Sequence, residues 1–271
     1  MKKRILLFVL FINIFSYAQI TQKGMRYIYE TKVKQRIDNE DISESYAYLD
    51  IYKNNSFFGD KYFIEFHNIW AKNDTIKNEE KRYEIISRAK SKFSGQSLNF
   101  LIIKDGNEII KYEKIWATAY HYKEPANNII WEINPEITIW NNFKVQQATT
   151  NFEGREWHVL FTKELNVNNG PYKFTNLPGF VVKAWDSTNT YIFEFINSEK
   201  IVENYNYLAR SHQYKEKTLA EAKKIESNHY NKTYRAFWSE SQPNVDDFAN
   251  VFPLDRKIGE VGNPIDLSFK K

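Results

Sequence analysis

Apolar and polar side chains alternate with a period of two along much of this chain, and this alternation limits the possible folds more than any other feature. It first appears at residues 24–33, through Met25, Tyr27 and Tyr29. It recurs at residues 46–52, 62–66, 157–161, 179–186 and 190–197. Successive side chains of a β-strand point to opposite faces of a sheet. Each segment is therefore predicted to be a strand with one buried face.

Short turns join several of these segments. Residues 98–104 and 108–112 flank Asp105-Gly106-Asn107, which is a strong hairpin sequence. Residues 186–189 separate the last two alternating segments in the same way. Strands that are joined by so few residues must run antiparallel, so the sequence predicts an antiparallel sheet.

Two segments follow a helical spacing instead. Residues 75–93 place their apolar side chains near one face of a helix, and residues 215–230 do the same among Ala, Glu and Lys. After the second helix, three Xaa-Pro pairs predict an extended tail. The predicted fold is therefore mainly β, an antiparallel twisted sheet or open barrel with two packed helices.

The first residues have the features of a secretory signal. Met1-Lys2-Lys3-Arg4 is a basic start, residues 5–15 carry no charge, and Ser16-Tyr17-Ala18 supplies the small residues that a signal peptidase reads. We expect cleavage near Ala18 and a periplasmic or secreted product, with a signal peptide at 1–18 and a single β-rich domain at 19–271. No other stretch approaches membrane-spanning length, so we expect no integral membrane segment in the mature chain.

Charge and cysteine content exclude several classes of protein. The whole chain carries a formal charge of +4, but three basic residues belong to the predicted signal, which leaves +1. A nearly neutral surface gives no electrostatic basis for nucleic-acid binding. The absence of cysteine excludes disulfide bonds, cysteine-bound zinc and the lipid-acceptor cysteine of a bacterial lipoprotein. Stability must come from the core.

The most distinctive segment is Gly170-Pro171-Tyr172-Lys173-Phe174-Thr175-Asn176-Leu177-Pro178-Gly179. Its last residues, Leu177-Pro178-Gly179-Phe180, predict a type II turn. Proline presets φ at the second position of such a turn, and glycine accepts the positive φ needed at the third. A strand is expected to leave the turn at Phe180.

This segment resembles the motif of the GLPGLI family, exported proteins of Bacteroidetes-type Gram-negative bacteria. Similar blocks surround it at Trp131-Glu132-Ile133, Ala148, Phe152-Glu153-Gly154-Arg155, Trp157 to Thr162, Leu49, Ile51, Asn54, Ser56, Phe57 and Asn263-Pro264-Ile265-Asp266-Leu267. The resemblance spans most of the mature chain and implies an exported, mostly β protein without an established activity. It implies a structural role for Gly170, Pro171, Lys173, Phe174, Leu177, Pro178 and Gly179.

The chain departs from the family pattern at several positions. Asn176 stands in place of the first glycine of the motif, and Phe180-Val181 replaces Leu-Ile. Val145 and Asn142 occupy positions that are commonly cysteine and glycine. A function that required that cysteine would be absent here. The resemblance implies no catalytic residue.

No catalytic or metal-binding pattern stands out. The five histidines form neither HExxH nor an i,i+4 pair, and His121 and Glu124 are expected in a loop. No serine lies in a GxSxG motif. Glu153 and Glu156 could act as paired acids, but the Gly-Arg pair between them predicts a turn in which Arg155 pairs with one carboxylate. We predict no cofactor, no metal and no catalytic residue.

Aromatic residues make up 17% of the chain. Rings suit strands and cores, but they also line grooves for lipid, glycan or peptide. Three residues are predicted to face a ligand. Trp116 and Tyr120 would share one strand face, and His158 would point away from the core beside Trp157.

These observations leave three hypotheses open. The leading one is an exported, non-catalytic protein that binds an apolar or extended ligand (lipid, peptide or glycan) or an unknown partner in the cell envelope. The second is a secreted hydrolase whose site assembles from distant residues, which a cleft joining His158 or His121 to two carboxylates would favour. The third is a structural component of an envelope assembly, which an exposed strand edge or apolar patch would favour.

Overall fold

The computed structural model describes residues 24–53, 55–92, 97–201, 206–242 and 244–270. The predicted signal segment, residues 1–18, lies outside the described residues. Within them, thirteen strands form one sheet. The strands are β1 (Gly24–Val33), β2 (Ser43–Ile51), β3 (Asn55–Asp60), β4 (Phe100–Asp105), β5 (Glu108–Ile115), β6 (Thr118–Pro125), β7 (Glu132–Ile133), β8 (Thr138–Trp140), β9 (Phe143–Phe152), β10 (Arg155–Thr162), β11 (Phe180–Asp186), β12 (Tyr191–Ile201) and β13 (Lys215–Glu216).

The sheet is open and almost entirely antiparallel. Its strand order is β13-β6-β5-β4-β3-β2-β1-β12-β11-β10-β9-β7, with β8 also beside β9. Among the described pairs, only the two-residue strand β13 runs parallel to its neighbour, β6. The predicted class, a mainly β fold built on an antiparallel sheet that does not close, is confirmed.

Both predicted hairpins are present. β4 pairs with β5 up to Asp105 opposite Glu108. Gly106 in the turn has a φ of +57°, a conformation that glycine adopts without steric cost. β11 and β12 are antiparallel neighbours that follow each other in the chain, with the predicted turn after Asp186.

The main core lies on one face of the sheet. On β10, Trp157, Val159 and Phe161 are buried, whereas His158 points to the other face, as the alternation predicts. Aromatic rings from distant strands meet there, and Tyr29 on β1 donates its hydroxyl to the carbonyl oxygen of Val181 on β11 at 2.6 Å. Many of the aromatic residues are therefore core residues.

The two predicted helices are present, together with three more in the described residues. They are α1 (Lys61–Asn73), α2 (Glu79–Lys92), α3 (Leu219–Tyr230), α4 (Tyr234–Ser239) and α5 (Ile258–Val261). Helix α3 begins with a capping box, in which Thr218 and Glu221 each accept a hydrogen bond from the backbone of the other.

The strand that alternation predicts around Ile64 is wrong, because this residue lies in α1. The Asp60 carboxylate accepts a hydrogen bond from the backbone N–H of Tyr62 at 2.9 Å and so caps the helix. The buried residues of α1 are Ile64, His67 and Asn68, which follow a helical spacing. A short apolar run is compatible with the period of a strand and with that of a helix. Here the Asp60 cap favours the helix.

The extended tail predicted after α3 is also wrong. Helices α4 and α5 lie there, with short 3-10 turns at Val245–Phe248 and Ser268–Lys270. Tyr234, Phe237 and Leu254 form a small apolar core with α5. A proline restricts only its neighbours, so α4 forms before the first of these prolines and α5 forms between the last two. No helix in the described part of the chain is both long and apolar enough to span a membrane.

Candidate functional site

The loop between β10 and β11, residues 163–179, carries the family-like segment, and we call it the motif loop. Tyr172, Lys173 and Phe174 in this loop are completely buried. The Tyr172 ring centroid lies 5.4 Å from that of Phe100 on β4 and 6.3 Å from that of Trp157 on β10. Because β4 and β10 are six positions apart in the sheet, the sheet must curl around this loop for both contacts to form.

Gly179 is required for space and not for a positive φ. The predicted type II turn is wrong, because Gly179 does not have the left-handed φ that its third position needs. A Cβ atom on Gly179 would lie 2.3 Å from the carbonyl oxygen of Thr162, and Thr162 pairs with Phe180 in the β10–β11 ladder. The left-handed residues of the motif loop are instead Tyr172 and Asn176, with φ values of +52° and +64°.

The other family-like residues mostly fill the interior. A Cβ atom on Gly170 would lie 2.8 Å from the Val181 side chain, so this glycine also permits a close approach. Pro171 and Leu177 are buried like Phe174, whereas Pro178 is exposed.

Lys173 connects the motif loop to buried acids. Its Nζ atom lies 2.6 Å from Oε1 of Glu153, donates to the Tyr122 hydroxyl at 3.0 Å, and forms an ion pair with Glu124. Burial by itself lowers the pKa of Lys173, but the two carboxylates outweigh it and hold the pKa above its ordinary value. The lysine is therefore a permanent cation inside the domain.

A second group of charges lies between β5, β6 and α3. Lys111 Nζ is 2.8 Å from Oε2 of Glu113 and 3.9 Å from Oε1 of Glu226. The Tyr120 hydroxyl donates to Glu113 at 3.0 Å and to Glu226 at 3.4 Å. Burial, which outweighs the nearby Lys111, raises the pKa of Glu226 to about 7. This acid changes protonation near neutral pH.

Lys223 on α3 joins the two groups. Its Nζ atom lies 3.6 Å from Oε1 of Glu153 and 3.4 Å from Oε2 of Glu226, and it also pairs with Asp266. Burial opposes ionisation of Asp266, but Lys223 holds the pKa of that carboxyl well below its usual range. We call the connected set the charge cluster. It consists of Lys111, Glu113, Tyr120, Glu124, Glu153, Lys173, Lys223, Glu226 and Asp266.

Arg155 holds the C-terminal segment against the sheet. The predicted turn is present, with φ values of +52° at Glu153 and +78° at Gly154. Arg155 pairs with neither predicted acid, however, and its Nη1 atom lies 2.8 Å from Oδ2 of Asp186. It also donates to Asn263 Oδ1 at 2.6 Å. The predicted partner was wrong because the Glu153 carboxylate forms its ion pair with Lys173.

An open cavity of about 380 Å³ adjoins the charge cluster at Glu113. Phe100 and Leu98 supply apolar wall, and Asn99 and Tyr230 supply polar groups. The Tyr230 hydroxyl makes no hydrogen bond within the described part of the chain. Burial raises its pKa, so it remains a protonated donor. The cavity therefore combines a carboxylate, a hydroxyl that has no hydrogen-bond partner among the described residues, and apolar surface.

The three residues predicted to face a ligand lie apart. Tyr120 is completely buried in the charge cluster. Trp116 lies in the β5–β6 turn with a φ of +53°, is 57% exposed, and lines a pocket of about 250 Å³ with its ring 4.8 Å from Phe237. His158 stacks on Trp185 on the other face of the sheet. The structure brings none of these three together.

The outer face beside His158 carries a second groove. His158 Nε2 lies 3.4 Å from Oε1 of Glu156. Glu156 and Glu132 line a groove of about 380 Å³ that also includes Thr149 and Asn151. One histidine is thus connected to an open groove with two carboxylates, although both acids are largely exposed.

His121 and Glu124 do not lie in the loop that was predicted, because both belong to β6. Their spacing of three places them on opposite faces of a strand. His121 stacks on Tyr112 with a centroid distance of 4.8 Å, while Glu124 pairs with Lys173. No group of metal-binding side chains occurs among the described residues.

The short strands β7 and β8 form an exposed apolar edge. Ile130, Ile137 and Ile139 are 85%, 64% and 68% exposed. They lie next to or within the two- and three-residue strands that partly cover β9. Exposed apolar side chains that cluster on one edge are typical of an interaction surface.

The charge cluster is the feature that sequence reasoning missed. Its signal was present in β5, where Ile109, Lys111, Glu113 and Ile115 share one buried face. Lysine and glutamate are rarely buried unless they are paired. Charged residues at the inward positions of an alternating strand therefore indicate a buried ion pair.

No protein-family model matches the chain, and no curated protein matches it either. Among solved structures, the chain is similar to two of PNGF-II, described as structures in the P21 and C2 space groups. In both cases 12% of residues are identical, 75% of this chain is covered, and the TM-score is 0.49. The chain spans about a third of the length of PNGF-II, 33% and 32%. A likeness of this size says nothing about function.

Proposed function

We propose that this chain is an exported, non-catalytic protein that binds one end of an extended, hydroxyl-bearing ligand, a glycan, in the cavity beside Glu113. The lining of that cavity carries the proposal. Its lining includes Glu113, Tyr230 and Phe100, which supply a carboxylate, a hydroxyl and an apolar ring. A sugar unit presents hydroxyl groups together with apolar C–H faces and so matches both kinds of wall.

A purely apolar ligand matches this cavity less well. An acyl chain would cover the Tyr230 hydroxyl without offering it a hydrogen bond, at a cost of about 1–3 kcal/mol. The volume of about 380 Å³ is near the lower end of the range for ligand pockets. It therefore suits one unit of a longer molecule. Of the ligand classes that the sequence suggests, a glycan is favoured over a lipid.

The cellular setting in this proposal rests on sequence features. The basic and apolar N-terminal residues support export to the periplasm or beyond after cleavage near Ala18. The resemblance to the GLPGLI family, centred on Leu177-Pro178-Gly179, supports the same setting. The near-neutral charge and the absence of cysteine support a free protein of the envelope over a lipoprotein.

The test has two parts, which are identification of the bound ligand and removal of one hydroxyl group from the cavity. Protein purified from its own envelope fraction is examined by native mass spectrometry, and saccharides are then titrated by calorimetry. Tyr230→Phe removes one hydroxyl and keeps the ring, so we expect affinity to fall by about 3- to 10-fold. Tyr83→Phe on α2, where the side chain is 75% exposed, is the matched control and retains full affinity. A clean apo mass and no saccharide binding would refute the proposal.

A secreted hydrolase is the second candidate, and the groove at Glu132 and Glu156 favours it. His158 contacts Glu156, one of the two carboxylates that line this groove, so a histidine lies beside an acid that a hydrolase could use. Chromogenic glycosides and esters test this directly. Turnover by the wild type that is lost in Glu156→Gln would establish the enzyme, whereas equal activity in both proteins would exclude this groove as the site.

A structural role in an envelope assembly is the third candidate, and it is favoured by the exposed isoleucines at the β7–β8 edge. Replacing Ile137 and Ile139 with serine would release the protein from an assembly that uses this edge. Size-exclusion chromatography of envelope extracts measures the outcome. An unchanged elution profile would exclude this edge as the contact.

A further inference from the structure

Lys104 on β4 is a buried cation that is held only by neutral groups. Its Nζ atom donates to Oδ1 of Asn169 at 2.8 Å and to the carbonyl oxygens of Gly170 at 2.8 Å and Phe174 at 3.1 Å. All three acceptors belong to the motif loop. No carboxylate in the described part of the chain forms an ion pair with this lysine.

The other buried cations of the described residues each have a carboxylate partner. The pairs are Arg26 with Asp50, Lys111 with Glu113, Arg155 with Asp186, and Lys173 with Glu153. A buried charge without a counter-charge is costly because it loses its hydration. Burial accordingly lowers the pKa of Lys104 to about 7. Lys104 therefore lacks the carboxylate partner that offsets the loss of hydration at the other four buried cations.

Lys104 also lines an open pocket of about 200 Å³. Ser56, Asn168 and Thr175 supply neutral hydrogen-bonding groups around it, and Lys53 adds a second cation. No acidic side chain is among the described residues that line this pocket. Its charge is therefore complementary to an anion.

The Asn169 carboxamide marks the place that an anion would take. Its Oδ1 atom accepts from Lys104 Nζ at 2.8 Å and from the backbone N–H of Gly170 at 2.9 Å. Asn169 is half-buried at the pocket wall, and its Nδ2 atom also donates to Ser56 Oγ at 3.0 Å. An anion that takes the place of the carboxamide breaks this bond as well, and the Ser56 hydroxyl can then donate to the anion. An anionic oxygen at the position of Oδ1 would receive the same two donors and would neutralise the lysine.

We propose that this pocket binds a small oxyanion, a phosphate or carboxylate group, which displaces the Asn169 carboxamide and pairs with the Lys104 ammonium and the Gly170 amide. The contacts lie where the motif loop enters the interior, so the bound anion stabilises the loop around which the sheet curls. This site is separate from the cavity beside Glu113.

The test is thermal unfolding of the protein in sodium chloride that is replaced stepwise by sodium phosphate or sodium acetate at constant ionic strength. We expect a saturable rise in melting temperature, about 5–10 °C at a hundredfold excess over the dissociation constant. Asn169→Asp supplies the missing carboxylate within the chain. It is expected to unfold at a higher temperature than the wild type in chloride alone and to lose the saturable response.

Asn197→Asp, at an exposed asparagine on β12, is the matched control for charge and for the general stabilising effect of phosphate on proteins. It is expected to respond like the wild type. A response to acetate as well as phosphate supports a carboxylate ligand, and a response to phosphate alone supports a phosphoryl group. Equal responses of wild type and Asn169→Asp would overturn the proposal, as would a rise that does not saturate.

Discussion

Replacing Gly179 with alanine tests whether the motif glycine is required by space. The new Cβ atom would lie 2.3 Å from the carbonyl oxygen of Thr162 and 2.9 Å from its carbonyl carbon. Both are backbone atoms in the β10–β11 ladder, so relief requires the two strands to separate. Overpacking of a rigid site costs about 1–3 kcal/mol or more, and a backbone contact belongs at the upper end. For a domain of this size, about 3 kcal/mol lowers the melting temperature by about 6–12 °C.

The comparison with asparagine separates the two explanations for this glycine. Asparagine tolerates a left-handed φ better than alanine does, but it is larger. At Gly106, where φ is +57° and a Cβ atom meets nothing within 4 Å, asparagine should be milder than alanine. At Gly179 both replacements should be severe. The melting temperatures of the four variants, with alanine or asparagine at Gly106 or at Gly179, are measured by circular dichroism. A Gly179→Ala protein that melts within about 2 °C of the wild type would refute the close-approach argument.

Two further predictions concern buried charges. The pKa of Glu226 is raised by burial from 4.5 to about 7, so between these pH values the folded state binds more protons than the unfolded state, and the free energy of unfolding falls as pH rises. Glu226→Gln should flatten this part of the profile of urea midpoint against pH, and parallel profiles would contradict the argument. Arg155→Met leaves the Asp186 carboxylate buried and unpaired, which should cost about 3–5 kcal/mol in urea unfolding. Arg235→Met, whose side chain is 46% exposed, should change the midpoint little, and similar losses in both variants would contradict the reasoning.

The strands were predictable where one face is uniformly apolar. In β10, the burial of Trp157, Val159 and Phe161 follows directly from the alternation, because the period of a strand is fixed by backbone geometry. Around Ile64 the same pattern failed. The apolar run there is short, and the Asp60 cap that starts the helix is visible only once β3 is known to end at that residue.

Contacts between distant segments were not predictable in the same way. Gly179 was identified as a constrained residue for the wrong reason. The Thr162 carbonyl that excludes a side chain lies on the neighbouring strand, β10. The residues around Gly179 in the sequence therefore do not indicate the contact. The charge cluster has the same origin. Its members come from β5, β6, the turn between β9 and β10, the motif loop, α3 and the C-terminal segment. Only the inward positions of Lys111 and Glu113 on β5 could have indicated it.

The connectivity of the charge cluster determines how its function must be tested. Lys173 and Lys223 both contact Glu153, and Lys223 also contacts Glu226, which shares the Tyr120 hydroxyl with Glu113 at the cavity wall. Residues in one network of this kind do not act independently. Removing any of these charges would therefore disturb the cavity even if the residue never meets a ligand, and lost binding would be misread as a direct contact. The Tyr230 hydroxyl lines the cavity without a hydrogen bond to the rest of the described chain, so its removal separates ligand recognition from support of the fold.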